Sequence, residues 1–167
     1  FAVDQQHLLE KLIIVDILPK RYAVLHSSIL DALDAVDLSV VSSRSEVEKV
    51  LHEHLGEQVG VIQFLMKGMY WENVEEKKLA WRFNLSVIKS QLENVSLDIK
   101  FASDSIKIPT LFIKGGESPY IDNLGYQRAQ ERFVNSNLTE IAGAGHWVHA
   151  EKQLEFYQSC ENFLIGS

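Results

Sequence analysis

The chain has 167 residues, 46% of them hydrophobic and 23% charged, a composition typical of a globular fold with one buried core. Its formal net charge of −7 and the lack of any basic cluster argue against nucleic acid or an anionic membrane surface as a partner. The single cysteine excludes an intrachain disulfide, and the apolar runs fall far short of a membrane span, so we expect a cytoplasmic protein.

The first predicted element is a buried strand. Leu12 to Ile17 reads LIIVDI, a continuous apolar run rich in β-branched residues and closed by Pro19, which is typical of a parallel sheet. Such a strand needs neighbours and crossover helices, yet almost nothing precedes it and the chain does not begin with Met. We therefore expect the C-terminal part of a larger protein. Asp16 ends this apolar run, where a carboxylate is costly unless it is paired.

The next block, 20–105, is predicted to be helical throughout. Four segments carry apolar residues at helical spacing: 29–36, 43–56, 61–69 and 85–95. Ser43 with Glu46 makes a capping box for the second helix, and Asn84 caps the fourth. Helices inserted between the strands of a parallel sheet favour a cap on an α/β frame.

Strands and helices alternate again after this block. The predicted elements are a strand at 110–114, a helix at about 124–134, a strand at 137–141 and a final helix from Glu151. The predicted fold class is therefore α/β, with parallel strands flanked by helices. We expect residues 1–19 and 106–167 to form the core and residues 20–105 to form the four-helix cap.

The segment Ala142 to Lys152, AGAGHWVHAEK, places His146 on the loop between the last strand and the last helix. Gly143 and Gly145 interrupt the strand pattern, and glycine lets the backbone turn sharply or take positive φ. Catalytic side chains are commonly mounted on such loops. His146 is therefore a candidate catalytic residue, and the alternative is that it merely occupies a turn.

Two segments together resemble the last two strands of an α/β-hydrolase: IPTLFIKGGESPYI and, some twenty residues later, IAGAGHWVHAEK. The likeness extends through LIIVDILP, GVIQFLMK and WRFN to the small YbfF-type esterases, relatives of the α/β-hydrolase domain-containing protein 11 group. It covers the chain from about Leu12 to Leu164. The resemblance implies the C-terminal half of an α/β-hydrolase fold, with His146 as the general base of a Ser-His-acid triad.

The nucleophile is missing from the sequence. The family mounts its serine on a G-x-S-x-G elbow, and none of the nine glycines here makes that pattern. The resemblance therefore implies that the serine and both oxyanion-hole amides lie upstream of Phe1, in an N-terminal part of the same hydrolase. We expect the present chain to be inactive by itself.

Two carboxylates, Asp16 and Glu117, are candidates for the triad acid. The usual family position, just after the penultimate strand, corresponds to Ser118, which has no charge with which to stabilise an imidazolium. In the YbfF-type esterases, which this chain resembles, the acid lies on an earlier strand. The resemblance therefore implies Asp16 as the acid. Glu117, one residue out of register, is the alternative acid, and Asp16 alternatively only caps the turn that follows it.

The resemblance implies a carboxylic ester or thioester hydrolase that acts on a small acyl ester without a metal or organic cofactor. Phe64, Trp81 and Trp147 are candidates for an acyl-binding pocket, although aromatic residues at helical spacing usually form the core. Two histidine sets suggest a metal only weakly. His52 and His54 point to nearly opposite sides of a helix, and His146 with His149 and Glu151 lacks a fourth ligand.

Two other functions stay open. One is a non-catalytic binding protein that keeps the α/β-hydrolase frame, and the other is a sibling hydrolase with a different nucleophile, such as an aspartate. The joint presence of His146 and Asp16 favours the serine hydrolase, since a binding protein needs neither residue.

Overall fold

The computed structural model describes residues 1–22, 27–95 and 105–166. The chain divides into two compact units. The first unit comprises Phe1–Arg21 with Asp98–Ser167, and the second comprises Tyr22–Leu97. Residues 23–26 and 96–104 of the predicted cap lie outside the described residues.

The elements, in chain order, are a 3-10 helix (Gln6–Leu8), β1 (Leu12–Val15), α1 (Ser27–Asp34), α2 (Arg44–Leu55), α3 (Val59–Lys67), β2 (Met69–Asn73), β3 (Lys78–Trp81), α4 (Leu85–Ser90), α5 (Leu92–Val95), β4 (Thr110–Gly115), α6 (Asn123–Gln130), β5 (Ser136–Ile141), α7 (Val148–Glu151) and α8 (Gln153–Ile165). Among the described residues, no helix combines the length and the apolar character that crossing a membrane requires.

The first unit is built on a parallel sheet in the order β1-β4-β5. Strand β4 lies in the middle and is almost wholly buried, while β1 is half-buried because it has a neighbour on one side in this sheet. Alternate β4 side chains face opposite sides, as the pleat requires: Phe112 packs in one apolar cluster, and Leu111 and Ile113 pack in the other. The predicted parallel strands are confirmed.

Register places the carboxyl ends of the three strands together. Val15 pairs with Ile113, and Gly115, two residues further along β4, pairs with Ile141. The residues that follow β1, β4 and β5 therefore lie at one edge of the sheet. Ligands of open parallel sheets bind at this edge.

The second unit packs α1, α2 and α3 around one apolar cluster, whose fully buried members include Val47, Leu51 and Ile62. Two predicted caps are confirmed. The side chain of Ser43 accepts a hydrogen bond from the backbone N–H of Glu46, and Asn84 accepts one from the N–H of Val87.

The prediction that this block is helical throughout is wrong, because β2 and β3 form an antiparallel hairpin. Helix α3 ends at Lys67 with Gly68 as its C-cap, so Met69 begins a strand rather than closing the helix. The Asn73 side chain accepts the N–H groups of Glu75 and Glu76 and so forms the turn. The segment between α3 and α4 is thus a strand pair joined by a turn.

Candidate active site

Asp16 follows β1 directly and is fully buried. Its backbone N–H donates to the carbonyl of Ile113 at 2.7 Å, which continues the pairing with β4, and its φ of 51° then turns the chain away from the sheet. Left-handed backbone is uncommon outside glycine, and Asp and Asn are among the residues that tolerate it. The backbone therefore fixes the carboxylate at the carboxyl edge of the sheet.

Three donors from the two other strand ends surround this carboxylate. The Gly115 N–H donates to Oδ1 at 2.9 Å, the Ser118 hydroxyl donates to Oδ2, and Nδ1 of His146 lies 2.8 Å from the same Oδ2. A buried carboxylate is costly without such partners. The burial of Asp16 is thus compensated by groups that follow β4 and β5.

The contact with Asp16 fixes the tautomer of His146. An ionised carboxylate only accepts hydrogen bonds, so Nδ1 carries the proton and Nε2 keeps its lone pair. No residue in the described part of the chain forms a hydrogen bond with Nε2, and 39% of the His146 side chain is exposed. The imidazole therefore presents a basic nitrogen to an incoming group.

Tyr120 covers one face of the same imidazole. The two rings stack with centroids 3.9 Å apart and an angle of 13° between their planes. Burial, and secondarily the charge of Asp16, raises the pKa of the Tyr120 hydroxyl above its usual value. Tyr120 is therefore uncharged near pH 7. Because its ring packs against one face of the imidazole, it restricts rotation of the imidazole about the bond to its Cβ.

Close approach between two loops explains one glycine of the site. A Cβ on Gly115 would lie 2.1 Å from the carbonyl oxygen of Gly145 and 2.7 Å from that of Ala144. The N–H of Glu117 donates to the same Ala144 oxygen at 2.9 Å. Any side chain at Gly115 would push the loop of His146 away from the loop after β4. The predicted positive φ occurs at Gly143, where it is 68°.

The other predicted site residues differ in how far they are buried. The Glu117 side chain is exposed, whereas Ser118 is buried against Asp16. Phe64, on α3, is 60% exposed, and Trp81, at the end of β3, is half-buried and stacks on Phe83. Trp147 is half-buried in the first unit. The pocket role of these three aromatic residues stays a prediction.

His52 and His54 each place a ring nitrogen next to a backbone carbonyl oxygen. Nδ1 of His52 lies 3.1 Å from the carbonyl oxygen of Gly56, and that of His54 lies 2.9 Å from the carbonyl of Val50. Within the described ranges there is no group of three or more side chains that could hold a metal ion.

Sequence reasoning missed the contacts made by Ser118 and Tyr120. Ser118 was identified as a vacant acid position, and the structure shows that its hydroxyl donates to the carboxylate of Asp16. Both residues belong to GGESPY, the segment that follows β4. A prediction would have required the register of β1 against β4, which the sequence alone does not contain.

Comparison with solved structures identifies the class of fold. A marine microorganism esterase superimposes with a TM-score of 0.90 at 30% sequence identity, over 98% of this chain and 64% of that one. Other hydrolases of known structure, at 12–16% identity and TM-scores of 0.57–0.69, share the fold alone. The chain therefore has the α/β-hydrolase fold.

In sequence, the chain is similar to two kinds of curated protein. It is 37% identical to esterase YbfF of Escherichia coli over 93% of this chain and 58% of that protein. It is 33% identical to the sn-1-specific diacylglycerol lipase ABHD11 of Xenopus tropicalis over 98% of this chain and 51% of the lipase. No family model matches the chain. The chain thus spans little more than half the length of these relatives, and the predicted resemblance is confirmed.

Proposed function

We propose that the chain is the C-terminal part of a carboxylic ester or thioester hydrolase, in which His146 and Asp16 are the base and acid of a Ser-His-Asp triad. The observation that carries this proposal is the 2.8 Å contact between Nδ1 of His146 and the buried Oδ2 of Asp16. It leaves Nε2 available for proton transfer. The esterase and lipase names of the relatives support the reaction class.

The chemistry follows from the atoms in contact. A serine Oγ attacks the acyl carbonyl while Nε2 of His146 takes its proton, and the resulting imidazolium is stabilised by Asp16. The proton then passes from Nε2 to the leaving alkoxide or thiolate as the bond from the acyl carbon to the leaving group breaks. Water, deprotonated by the same nitrogen, releases the acyl group as a carboxylic acid. Gly115 and Ser118 hold the carboxylate in place throughout.

We propose that the serine comes from the N-terminal part of the hydrolase, which the 167 residues do not include. The sequence contains no G-x-S-x-G elbow, and it spans 58% of esterase YbfF. The chain alone then holds the base and the acid without a nucleophile. It is expected to hydrolyse no ester until the N-terminal part is supplied.

We propose a small acyl ester as the substrate and the insertion at about residues 20–105 as the part that selects it. Phe64 supports this role because 60% of this large apolar side chain is exposed on α3. Trp81 and Trp147, both half-buried, are the other proposed contacts. Trp81 also packs against the apolar cluster of its own unit, so part of its role is structural.

Labelling with a fluorophosphonate tests this proposal. The probe forms a covalent bond to a serine activated by a triad, and peptide mass spectrometry locates the adduct in the complete hydrolase. We expect one adduct, on a serine outside the 167 residues, and no adduct after His146→Ala or Asp16→Asn. Labelling of Ser118, or labelling that survives His146→Ala, would contradict the proposal.

A further inference from the structure

A second carboxylate holds the loop on which His146 lies. One oxygen of Glu151, Oε2, accepts the backbone N–H of Gly145 at 2.8 Å, and the other, Oε1, accepts the N–H of Trp147 at 3.1 Å. These are the two residues on either side of His146. Glu151 therefore binds the backbone immediately before and immediately after the histidine.

The residue at position 145 is adapted to this carboxylate. A Cβ on Gly145 would lie 3.1 Å from each of the two Glu151 oxygens, tighter than nine in ten Cβ contacts in proteins. The carbonyl oxygen of Gly145 packs against Gly115, and a Cβ on Gly115 would lie 2.1 Å from this oxygen. Gly145 is thus confined between the strand-end loop of β4 and the Glu151 side chain. Its position has little freedom while both contacts are present.

The short helix α7 brings Glu151 to this place. The N–H groups of Ala150 and Glu151 both donate to the carbonyl of Trp147, at 2.8 and 2.9 Å, and this forms one turn of helix directly after the histidine. Trp147 is the N-cap of α7, and its own side chain makes no capping hydrogen bond. Because residues one turn apart lie on the same face, Glu151 reaches back to the open amides at the start of the turn.

We propose that Glu151 is a positioning residue for His146, acting through the two flanking amides. This inference rests on the proposed function, since positioning matters only if His146 transfers a proton. A misplacement of about 1 Å lowers rates by up to roughly 10²-fold. Glu151 is exposed, and its two hydrogen bonds lie at the surface. Its loss is therefore expected to affect turnover more than stability.

The test compares Glu151→Ala and Glu151→Gln in the complete hydrolase with Glu46→Ala. Glu46 is a matched control because its exposed carboxylate also accepts a backbone amide, that of Ser42 at 2.7 Å, in the second unit. Each variant is assayed on one short-chain ester, with the active fraction counted by fluorophosphonate titration. Thermal unfolding and the NMR resonance of the His146 Nδ1 proton are recorded on the same samples.

We expect Glu151→Ala to lower kcat per active site by at least about tenfold while KM changes little, and to shift or broaden the Nδ1 proton resonance. Glu151→Gln keeps one acceptor oxygen for one of the two amides, so it is expected to lie between the wild type and the alanine variant. Glu46→Ala is expected to lower Tm slightly and to leave kcat and the resonance unchanged.

The inference is overturned if Glu151→Ala leaves both kcat and the Nδ1 resonance as in the wild type, or if its loss of activity is fully explained by a lower active fraction. Failure of the proposed function looks different. In that case His146→Ala leaves ester hydrolysis intact, and the Nδ1 resonance still reports whether Glu151 positions the ring.

Discussion

The two compact units differ in whether they bury polar side chains. Among the described residues, the buried polar side chains are Asp16, Thr110 and Ser118, and all three lie in the first unit. The buried cluster of the second unit is entirely apolar. Burial of a polar group costs free energy unless it is hydrogen-bonded. The polar network around Asp16 is thus a local exception, and it lies where the proposed chemistry takes place.

The largest effect that this comparison predicts is at the base. His146→Ala in the complete hydrolase removes the proton acceptor and is expected to lower turnover by roughly 10⁵-fold or more. The matched control is His149→Ala, three residues along the same segment, where the side chain is exposed and its ring lies 6.2 Å from that of Phe156 in a T-shaped arrangement. His149→Ala is expected to change kcat by less than about threefold. Similar losses in both variants would show that the segment as a whole, rather than Nε2, is needed.

A smaller effect is predicted at Ser118. Ser118→Ala removes one of the three donors to Asp16, and a hydrogen bond to a charged group contributes about 1.5–3 kcal/mol, so kcat is expected to fall by roughly 10- to 100-fold. Ser118→Asp alone places a second carboxylate beside the first and is expected to be harmful. Combined with Asp16→Asn, it restores a charge near His146 and is expected to recover part of the activity. Steady-state kinetics on one short-chain ester measures both outcomes.

The smallest effects are predicted in the second unit, whose proposed role is to select the substrate. Phe64→Ala is expected to alter the ratio of kcat/KM between long and short acyl chains by a few-fold, with Tm nearly unchanged because the side chain is exposed. Trp81→Ala is expected to change the same ratio and also to lower Tm, since Trp81 stacks on Phe83 at 5.3 Å. An equal loss for every ester would mean that both residues serve packing alone.

The sequence predicted elements whose signals are local. The apolar run before Asp16, the caps at Ser43 and Asn84 and the two later strands all lie in single segments, and the structure contains each of them. The β2–β3 hairpin was missed because Met69 continues the apolar spacing of α3, and only Gly68 marks the break. A helix and a strand compete at such a boundary, and here pairing with the strand that follows the turn favours the strand.

The site, like the fold, was predictable where the sequence signal is local. His146 and Asp16 stand out as a histidine between a glycine and an aromatic residue, and as a carboxylate in an apolar run. Their partners do not stand out, because Gly115 and Ser118 meet Asp16 across about a hundred residues of sequence. The Glu151 contact is local and was open to prediction. The sequence instead suggested a weak metal set, because it does not show which atoms the carboxylate meets.

The most direct test of the account is Asp16→Asn compared with Glu117→Gln in the complete hydrolase. Asparagine tolerates the positive φ of Asp16 and keeps an oxygen for the Gly115 amide, so the fold is expected to survive, as checked by circular dichroism. Its amide group, however, offers a donor to Nδ1, which favours the wrong tautomer and is expected to lower turnover about 10⁴-fold. Glu117→Gln, at an exposed position, is expected to be nearly silent. A crippled Glu117→Gln with a nearly unchanged Asp16→Asn would contradict the assignment of Asp16 as the acid.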